Sequence, residues 1–290
     1  MNRADIIEFK TADDTEITRF IAEGMRGKAD NTIKAYRQSL GRFKRYLNDA
    51  GTDLQGYSRS DVQAYVKRLE TVEKRKPSGV NREYAAIRAF SKWAGKSDAI
   101  EDIRIIRQAR KNTQAPKWIG RNKRNEIIRL TDRKANKRDH AIVMTLLGAG
   151  LRVGELAALD KLDARISERK GEIHVRDGKG GIERTVPIGS ETRRAIRVYL
   201  EQRGHDGIEA LFTSQLGKRI SVRSIQTMLE QYGVTPHQLR HTYVKQLVDN
   251  GNDNALIMSL SGHSSAEMIA WYSTPSENDK RRAVDNLYND

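Results

Sequence analysis

The sequence predicts a mainly α-helical protein with a small antiparallel β-sheet, arranged as a helical domain followed by a mixed α+β domain. Apolar residues recur at three- and four-residue steps along most of the chain, which is typical of amphipathic helices. One stretch, near residues 173–188, instead resembles two short strands around a glycine-rich turn. The 290 residues are enough for two modest domains, each with its own core.

Four amphipathic helices are predicted in the first hundred residues, and their apolar stripes form the core of the helical domain. The first helix covers about 15–26, and the second runs from a cap at Asp30 or Asn31 to Gly51. The third helix starts at Ser60, and the fourth covers about 78–93. Gln63 lies three residues after Ser60, so these two residues can form a capping box.

The second domain is predicted to hold most of its residues in further helices around a single hairpin. The hairpin pairs Ile173–Arg176 with Arg184–Ile188, and its turn, Asp177 to Gly181, places Lys179 at the tip. The predicted helices cover about 122–130, 137–148, 153–159, 190–203 and 221–232, then one from His237, one from Asp253 to Leu260, and a short one around Tyr272.

A positive charge runs through the whole chain and indicates a polyanionic partner. The net charge is +15 and the sequence pI is about 9.9. Residues 103–125 carry eight basic residues and no acidic residue, and positive charge in a segment that crosses a phosphate backbone favours binding by counterion release. The residues expected to contact the phosphates of such a partner are Lys34, Arg37, Arg42, Lys44, Arg45, Arg107, Arg110, Lys111, Lys117 and Arg121.

Composition also argues against several classes of protein. The chain has no cysteine, so it has neither disulfides nor a thiolate metal site, which fits a reducing compartment. No apolar run reaches the roughly 18 residues of a membrane span, and the N-terminus lacks the apolar core of a signal peptide. We therefore expect a cytoplasmic protein that does not enter a membrane.

The segment Thr235–Thr242 has the features of a phosphate site at the start of a helix. Pro236 suits the first helical turn, where its missing N–H costs nothing. His237 and Arg240 are three residues apart and therefore share a face. An imidazole, a guanidinium and the free N–H groups of a helix start can converge on one phosphate.

Gly262-His263 and Tyr272 come later in the chain, and with the Thr235–Thr242 segment they resemble the C-terminal signature of the tyrosine recombinases. Two upstream motifs agree: Arg152 lies in the run Gly150–Leu156, and Lys179 lies between two glycines ahead of an Arg-x-Val-Pro strand. The complete set is Arg152, Lys179, His237-x-x-Arg240, Gly262-His263 and Tyr272. Ser261 departs from the leucine that the family usually has before Gly-His, and we expect this change to affect local packing rather than chemistry.

The resemblance implies a site-specific DNA recombinase that works through a 3′-phosphotyrosine link and a Holliday junction, without ATP, metal or other cofactor. It implies a core-binding domain over 1–102, a basic linker over 103–118, and a catalytic domain over 119–290 with a C-terminal tail over 274–290. The start Asn31-Thr32-x-x-x-Tyr36 also resembles the core-binding domain of this family.

The resemblance also gives each motif residue a role. Tyr272 is the nucleophile, and Arg152 and Arg240 bind the phosphate as forked cations. Lys179 protonates the leaving 5′ oxygen. The supporting residues are His237 and His263, which bind a phosphate oxygen or assist proton movement, and Glu155, which braces Arg152 or a histidine.

His241 has a metal-ligand spacing from His237, but residue 238 is glutamine, so the metalloprotease pattern fails. We expect His241 to be structural and the protein to hold no metal.

The implied partner is double-stranded DNA carrying paired recombination sites, bound by a homotetramer on two duplexes, with accessory DNA-bending proteins possible. The tail over 276–288 is expected to pack against a neighbouring subunit. Only a dozen or so residues precede the first predicted helix, which favours the two-domain, Xer-type recombinases and transposon cointegrate resolvases.

Two other functions stay open at this point. A type IB topoisomerase shares the chemistry but needs no second duplex, and a DNA-binding regulator could keep the fold without activity. A metal-dependent nuclease is disfavoured because no cluster of carboxylates with histidine is evident.

Overall fold

The protein is represented by a computed structural model that describes residues 12–105, 117–176, 183–273, 281 and 284–285. The chain divides into two compact units, Met1–Lys111 and Asn112–Asp290. The domain boundaries at 102/103 and 118/119 stay a prediction, because residues 106–116 of the linker lie outside the described residues. Within the described ranges, no helix is long and apolar enough to cross a membrane.

The described part of the first unit, residues 12–105, holds four helices followed by a short 3₁₀ turn. Its elements are α1 (Ala12–Gly24), α2 (Asp30–Asp49), α3 (Arg59–Thr71), α4 (Pro77–Trp93) and the 3₁₀ turn Ser97–Ile100. The predicted apolar stripes form its core, in which Phe20 and Phe90 pack edge to face with ring centroids 5.5 Å apart.

Two of the predicted helix starts need correction. Helix α2 follows Ala29, and no side chain caps it. The cap of helix α3 lies two residues before the predicted one, because Ser58 adopts the extended N-cap conformation and Asp61 completes the capping box. The Asp61 carboxylate accepts a hydrogen bond from the Ser58 backbone N–H at 2.8 Å.

Arg42, on α2, has a buried acidic partner inside the unit. It donates to the carboxylate of Glu83, which is completely buried and also accepts from Arg75 at 3.0 Å. Burying one carboxylate between two guanidiniums keeps its charge compensated. Arg42 therefore holds α2 against α4, and we leave it out of the proposed DNA contacts.

The second unit surrounds a three-stranded sheet with helices. The helices are α5 (Arg121–Asp132), α6 (Lys137–Ala149), α7 (Val153–Ala158), α8 (Ser190–Arg203), α9 (Val222–Glu230), α10 (Pro236–Asp249), α11 (Asn254–Ser261) and α12 (Ala266–Ala270), which a 3₁₀ turn, Trp271–Ser273, extends. Most of these helices start and end close to the predicted bounds, although Tyr272 lies in the 3₁₀ turn and not in α12. Ser221 caps α9, since its hydroxyl accepts from the Ser224 N–H at 3.0 Å.

The sheet has the antiparallel order β1 (Ala164–Ile166), β2 (Gly171–Val175), β3 (Arg184–Pro187). The predicted pairing of β2 with β3 is confirmed, and β1 is an additional edge strand too short to have given a period-two signal. Strand β3 alternates between buried and exposed residues, so Arg184 lies on the inner face beside Val186. The predicted turn with Lys179 lies outside the described residues.

Candidate active site

Two left-handed glycine turns bring the candidate residues together. Helix α6 ends at Gly150 (φ 59°) and helix α11 ends at Gly262 (φ 68°), a backbone conformation that favours glycine. Gly150 has no room for a side chain, because an added Cβ would lie 2.1 Å from the Tyr243 ring. At Gly262 an added Cβ would make a tight contact, 3.0 Å from the Arg184 guanidinium. Both turns therefore favour glycine for their conformation and for their close neighbours.

Backbone carbonyls at these turns hold both candidate phosphate-binding arginines. Arg240, on α10, donates to the Gly150 carbonyl and, at 2.7 Å, to the Ser261 carbonyl. Arg152, just before α7, donates to the Gly262 carbonyl at 2.7 Å. A guanidinium has five N–H donors, so both groups keep donors for a phosphate while their orientation is set. Burial, and then the charge of Arg152, lower the pKa of Arg240 to about 10, so it stays cationic at neutral pH.

Glu155 lies between the guanidiniums of Arg152 and Arg184. The sequence predicted its contact with Arg152 but not its contact with Arg184. Its carboxylate accepts from Arg152 at 2.7 Å and from Arg184 at 2.8 and 3.1 Å. The side chains of Arg184 and Glu155 are only 6% and 3% exposed. Burial alone would raise the pKa of Glu155, but the hydrogen bonds from Arg184 and the Arg152 N–H hold it below its usual range. This network links β3, α7 and the Gly262 turn, because Arg184 also donates to the Leu260 carbonyl.

Glu155→Ala is expected to lower the free energy of unfolding by about 3–5 kcal/mol, because it leaves a buried guanidinium without its counter-charge. Urea unfolding of the full chain measures the loss. Glu172→Ala is the matched control, since its pair with Arg165 is 41% and 70% exposed, and it is expected to cost less than about 1 kcal/mol. Equal losses in the two variants would contradict the bracing role of Glu155.

Three histidines line the cluster, and each is neutral at neutral pH. Burial, and then Arg240 and Arg152, lower the pKa of His263 to about 3. Burial, then His237 and Arg240, lower the pKa of His241 to about 4. Burial, then Arg240 and Arg152, also lower the pKa of His237, the most exposed of the three. Neutral imidazoles can accept protons, and a bound phosphate would offset the cationic charges that now oppose protonation.

Tyr272 is buried within this cluster, with only 1% of its surface exposed. Its phenol forms a hydrogen bond with Nδ1 of His241, and its ring lies 5.9 Å from that of His263. Burial raises the pKa of Tyr272 to about 12, against an opposing effect of Arg240, so the phenol is protonated at neutral pH. Deprotonating this phenol at neutral pH therefore requires an acceptor.

Five of the six predicted catalytic residues meet in this one cluster: Arg152, His237, Arg240, His263 and Tyr272. Lys179 lies outside the described residues and stays a prediction. Of the predicted DNA-contact residues, Lys34, Arg37, Arg45, Lys117 and Arg121 are exposed, Lys44 is partly buried, and Arg107, Arg110 and Lys111 lie outside the described residues.

Sequence reasoning missed three residues of the site. His241 was expected to be structural, although its four-residue spacing from His237 already placed it on the same face. Arg184 was considered only as the first residue of the Arg-x-Val-Pro strand. The alternation of that strand puts Arg184 on the buried face, where a guanidinium needs an acidic partner. Ser261 was expected to affect packing alone, whereas its hydroxyl contacts Nδ1 of His263 at 2.7 Å.

Comparison with known proteins assigns the chain to a family. Residues 117–279 match the protein family described as "Phage integrase family". Residues 17–97 match the family described as "Phage integrase, N-terminal SAM-like domain". The chain belongs to the phage integrase family. Tyrosine recombinase XerA of Thermococcus kodakarensis is 32% identical over 268 residues, which cover 89% of this chain and 90% of that protein.

Further relatives support the same assignment. Tyrosine recombinase XerC of Neisseria gonorrhoeae is 33% identical over 271 residues, covering 85% of this chain and 86% of that protein. The crystal structure of XerH site-specific recombinase in a post-cleavage complex shares the fold, with a TM-score of 0.72 at 16% identity, over 97% of this chain and 86% of that one. This phage integrase family member is thus a tyrosine-type site-specific DNA recombinase.

Proposed function

We propose that Tyr272 attacks a DNA phosphate bound by Arg152 and Arg240 and becomes joined to the 3′ end of the cut strand. The observation that carries this assignment is the position of the Tyr272 phenol in a buried cluster with two oriented guanidiniums and three neutral imidazoles. Fixed donors around a phosphate stabilise the charge that develops in the transition state, which serves phosphoryl transfer without a metal.

The proposed step exchanges one phosphorus–oxygen bond for another. The Tyr272 Oη–phosphorus bond forms and the phosphorus–O5′ bond breaks. The phenol proton passes to Nδ1 of His241, which already contacts that oxygen. The leaving 5′ oxygen takes a proton from Lys179, a role that stays predicted from the sequence. In the joining step a 5′-hydroxyl attacks the phosphotyrosine, so that a phosphorus–O5′ bond forms and the Tyr272 Oη–phosphorus bond breaks. The hydroxyl proton returns to Lys179, and the proton held by His241 returns to the phenol.

The buried position of the nucleophile sets a condition for this chemistry. A phenol that is 1% exposed cannot reach a phosphate in a DNA duplex, so α12 and its 3₁₀ extension must shift when DNA binds. Tyr272 and Ile269 are the two buried residues of this short segment, and both pack against α10 residues in a small cluster with Ile257. A segment anchored by so few side chains can move at modest cost.

His241→Phe is expected to slow formation of the covalent adduct by about 10²-fold, because phenylalanine keeps the ring but removes the acceptor. Single-turnover adduct formation with excess protein measures the rate. His140→Phe is the matched control, since its Nδ1 also meets a hydroxyl, that of Thr131 at 3.0 Å, but on α6 and outside the site. An unchanged rate in His241→Phe would remove His241 from the proton path.

DNA is the partner of this recombinase, and we propose that it binds as two duplexes with paired sites held by four protomers. The exposed basic residues Lys34, Arg37, Arg45, Lys117 and Arg121 are the proposed phosphate contacts among the described residues. The C-terminal tail as a link between protomers, and accessory DNA-bending proteins, belong to the same proposal. Most of residues 274–290 lie outside the described residues.

A plasmid test separates recombination from topoisomerase action. The substrate is a supercoiled plasmid with two copies of the DNA that flanks this gene in its source. Recombination yields deleted or inverted products that restriction mapping detects, and these products should form in EDTA. Relaxation of the plasmid without any rearranged product would instead identify a type IB topoisomerase activity.

A further inference from the structure

The buried hydroxyl of Ser261 makes two short contacts at once. Its Oγ lies 2.6 Å from the Ile257 carbonyl oxygen and 2.7 Å from Nδ1 of His263. Ser261 is completely buried, so water cannot substitute for either partner. A hydroxyl has one hydrogen to donate and two lone pairs that accept.

The carbonyl partner decides where that one hydrogen lies. A carbonyl oxygen can only accept, and two oxygens 2.6 Å apart repel each other unless a hydrogen lies between them. The Ser261 hydrogen must therefore point to the Ile257 carbonyl. The contact with His263 can then be a hydrogen bond only if Nδ1 of His263 donates to Oγ of Ser261.

The imidazole of His263 has a single proton to place. Burial and the nearby cations Arg240 and Arg152 keep its pKa far below neutrality, so the ring is neutral in the resting protein. If that proton is on Nδ1, then Nε2 carries a lone pair and no hydrogen. An imidazole in this form accepts hydrogen bonds through Nε2 and cannot donate one to a phosphate oxygen.

We propose that Ser261 is a positioning residue that fixes His263 in the tautomer with its proton on Nδ1, so that Nε2 acts as a hydrogen-bond acceptor in the active site. The tautomer of His263 follows from the contacts of Ser261 alone, and only the use of Nε2 in catalysis rests on the proposed function. In the resting recombinase Nε2 of His263 is then the ring nitrogen with a free lone pair, so it is the nitrogen that can receive a hydrogen bond or a proton from a reacting group. Leucine has no polar atom, so it could not set the tautomer in this way.

Nitrogen-15 NMR of the full chain, labelled in its six histidine rings, measures the tautomer directly. The His263 signals are assigned by their loss in His263→Gln. We expect a protonated Nδ1 and an unprotonated Nε2 in the wild type, and a shift toward protonated Nε2 in Ser261→Ala. Protonated Nε2 in the wild type, or an unchanged Nδ1–H form in Ser261→Ala, would overturn the proposal.

Ser259→Ala is the matched control. Ser259 lies on the same helix, and its hydroxyl also donates to a helix carbonyl, that of Leu256 at 2.7 Å, but it is exposed and contacts no histidine. The His263 signals should be identical in Ser259→Ala and the wild type. The same change in both variants would overturn the proposal, because it would reflect a general response of α11.

An activity readout separates this inference from the proposed function. Ser261→Ala should slow adduct formation by about two- to tenfold, the range expected for one lost hydrogen bond, with DNA affinity unchanged. An unchanged rate together with a changed tautomer would show that the acceptor form is not used in catalysis and would overturn that part. Wild-type protein that shows the expected tautomer but never forms an adduct would contradict the proposed function alone.

Discussion

Tyr272→Phe is expected to abolish covalent attachment to DNA while leaving DNA binding intact. The substitution removes only the phenolic oxygen, so the buried ring keeps its packing in the cluster with Ile257 and Ile269. Without that oxygen no phosphotyrosine can form, so no covalent adduct should be detected even after long incubation. The readouts are SDS-resistant protein on DNA and the dissociation constant for the same DNA.

Tyr243→Phe is the matched control for this prediction. Tyr243 is also a buried tyrosine, on α10 in the same small cluster, and its ring packs against the Gly150 turn. Its phenol lies outside the proposed reaction path, so adduct formation should proceed as in the wild type. An adduct that persists in Tyr272→Phe, or one that disappears in Tyr243→Phe, would overturn the choice of nucleophile.

Arg240→Lys is expected to lower the rate of adduct formation by about 10²–10³-fold, comparable to removal of one oxyanion-hole donor. The Arg240 guanidinium donates to the Gly150 and Ser261 carbonyls and still has N–H groups free for the phosphate. A lysine ammonium carries its three N–H donors on a single nitrogen atom and cannot reproduce this forked arrangement. Single-turnover adduct formation measures the effect.

The control for Arg240→Lys is a buried arginine outside the site. Arg203 has a side chain that is 6% exposed and donates to the carbonyls of Ile208, Ala210 and Leu211. Arg203→Lys should therefore destabilise the second unit for the same structural reason, with no loss of rate per folded molecule. If the two variants lose activity equally once folding is corrected for, Arg240 acts on the fold and not on the phosphate.

The sequence was sufficient for most of the fold because local signals and tertiary packing agree. Helices α2 and α10 show why: α2 has a clear apolar stripe, and α10 has Thr235 as its cap and Pro236 in its first turn. The errors lie at helix starts such as that of α3, where two serines, Ser58 and Ser60, compete as caps and only the capping-box partner Asp61 decides.

The residues of the site that sequence reasoning missed are those whose role depends on distant partners. Arg184 and Glu155 are separated by β1 and β2, and only the folded sheet shows that they form an ion pair. His241 meets a phenol 31 residues later in the chain. Ser261 is the exception, because it lies two residues from His263, but the direction of its hydrogen bond depends on the Ile257 carbonyl in the folded helix.

Identifying the residue joined to DNA tests the central claim most directly. Wild-type protein is incubated in EDTA with the plasmid that carries the flanking DNA, the covalent complex is isolated in SDS, and protease and nuclease digestion leaves a nucleotide-linked peptide for mass spectrometry. We predict that this peptide contains Tyr272 joined to a 3′ phosphate and that the cut strand ends in a 5′-hydroxyl. Attachment to another residue, a link to a 5′ phosphate, or an adduct that EDTA prevents would contradict the proposed mechanism.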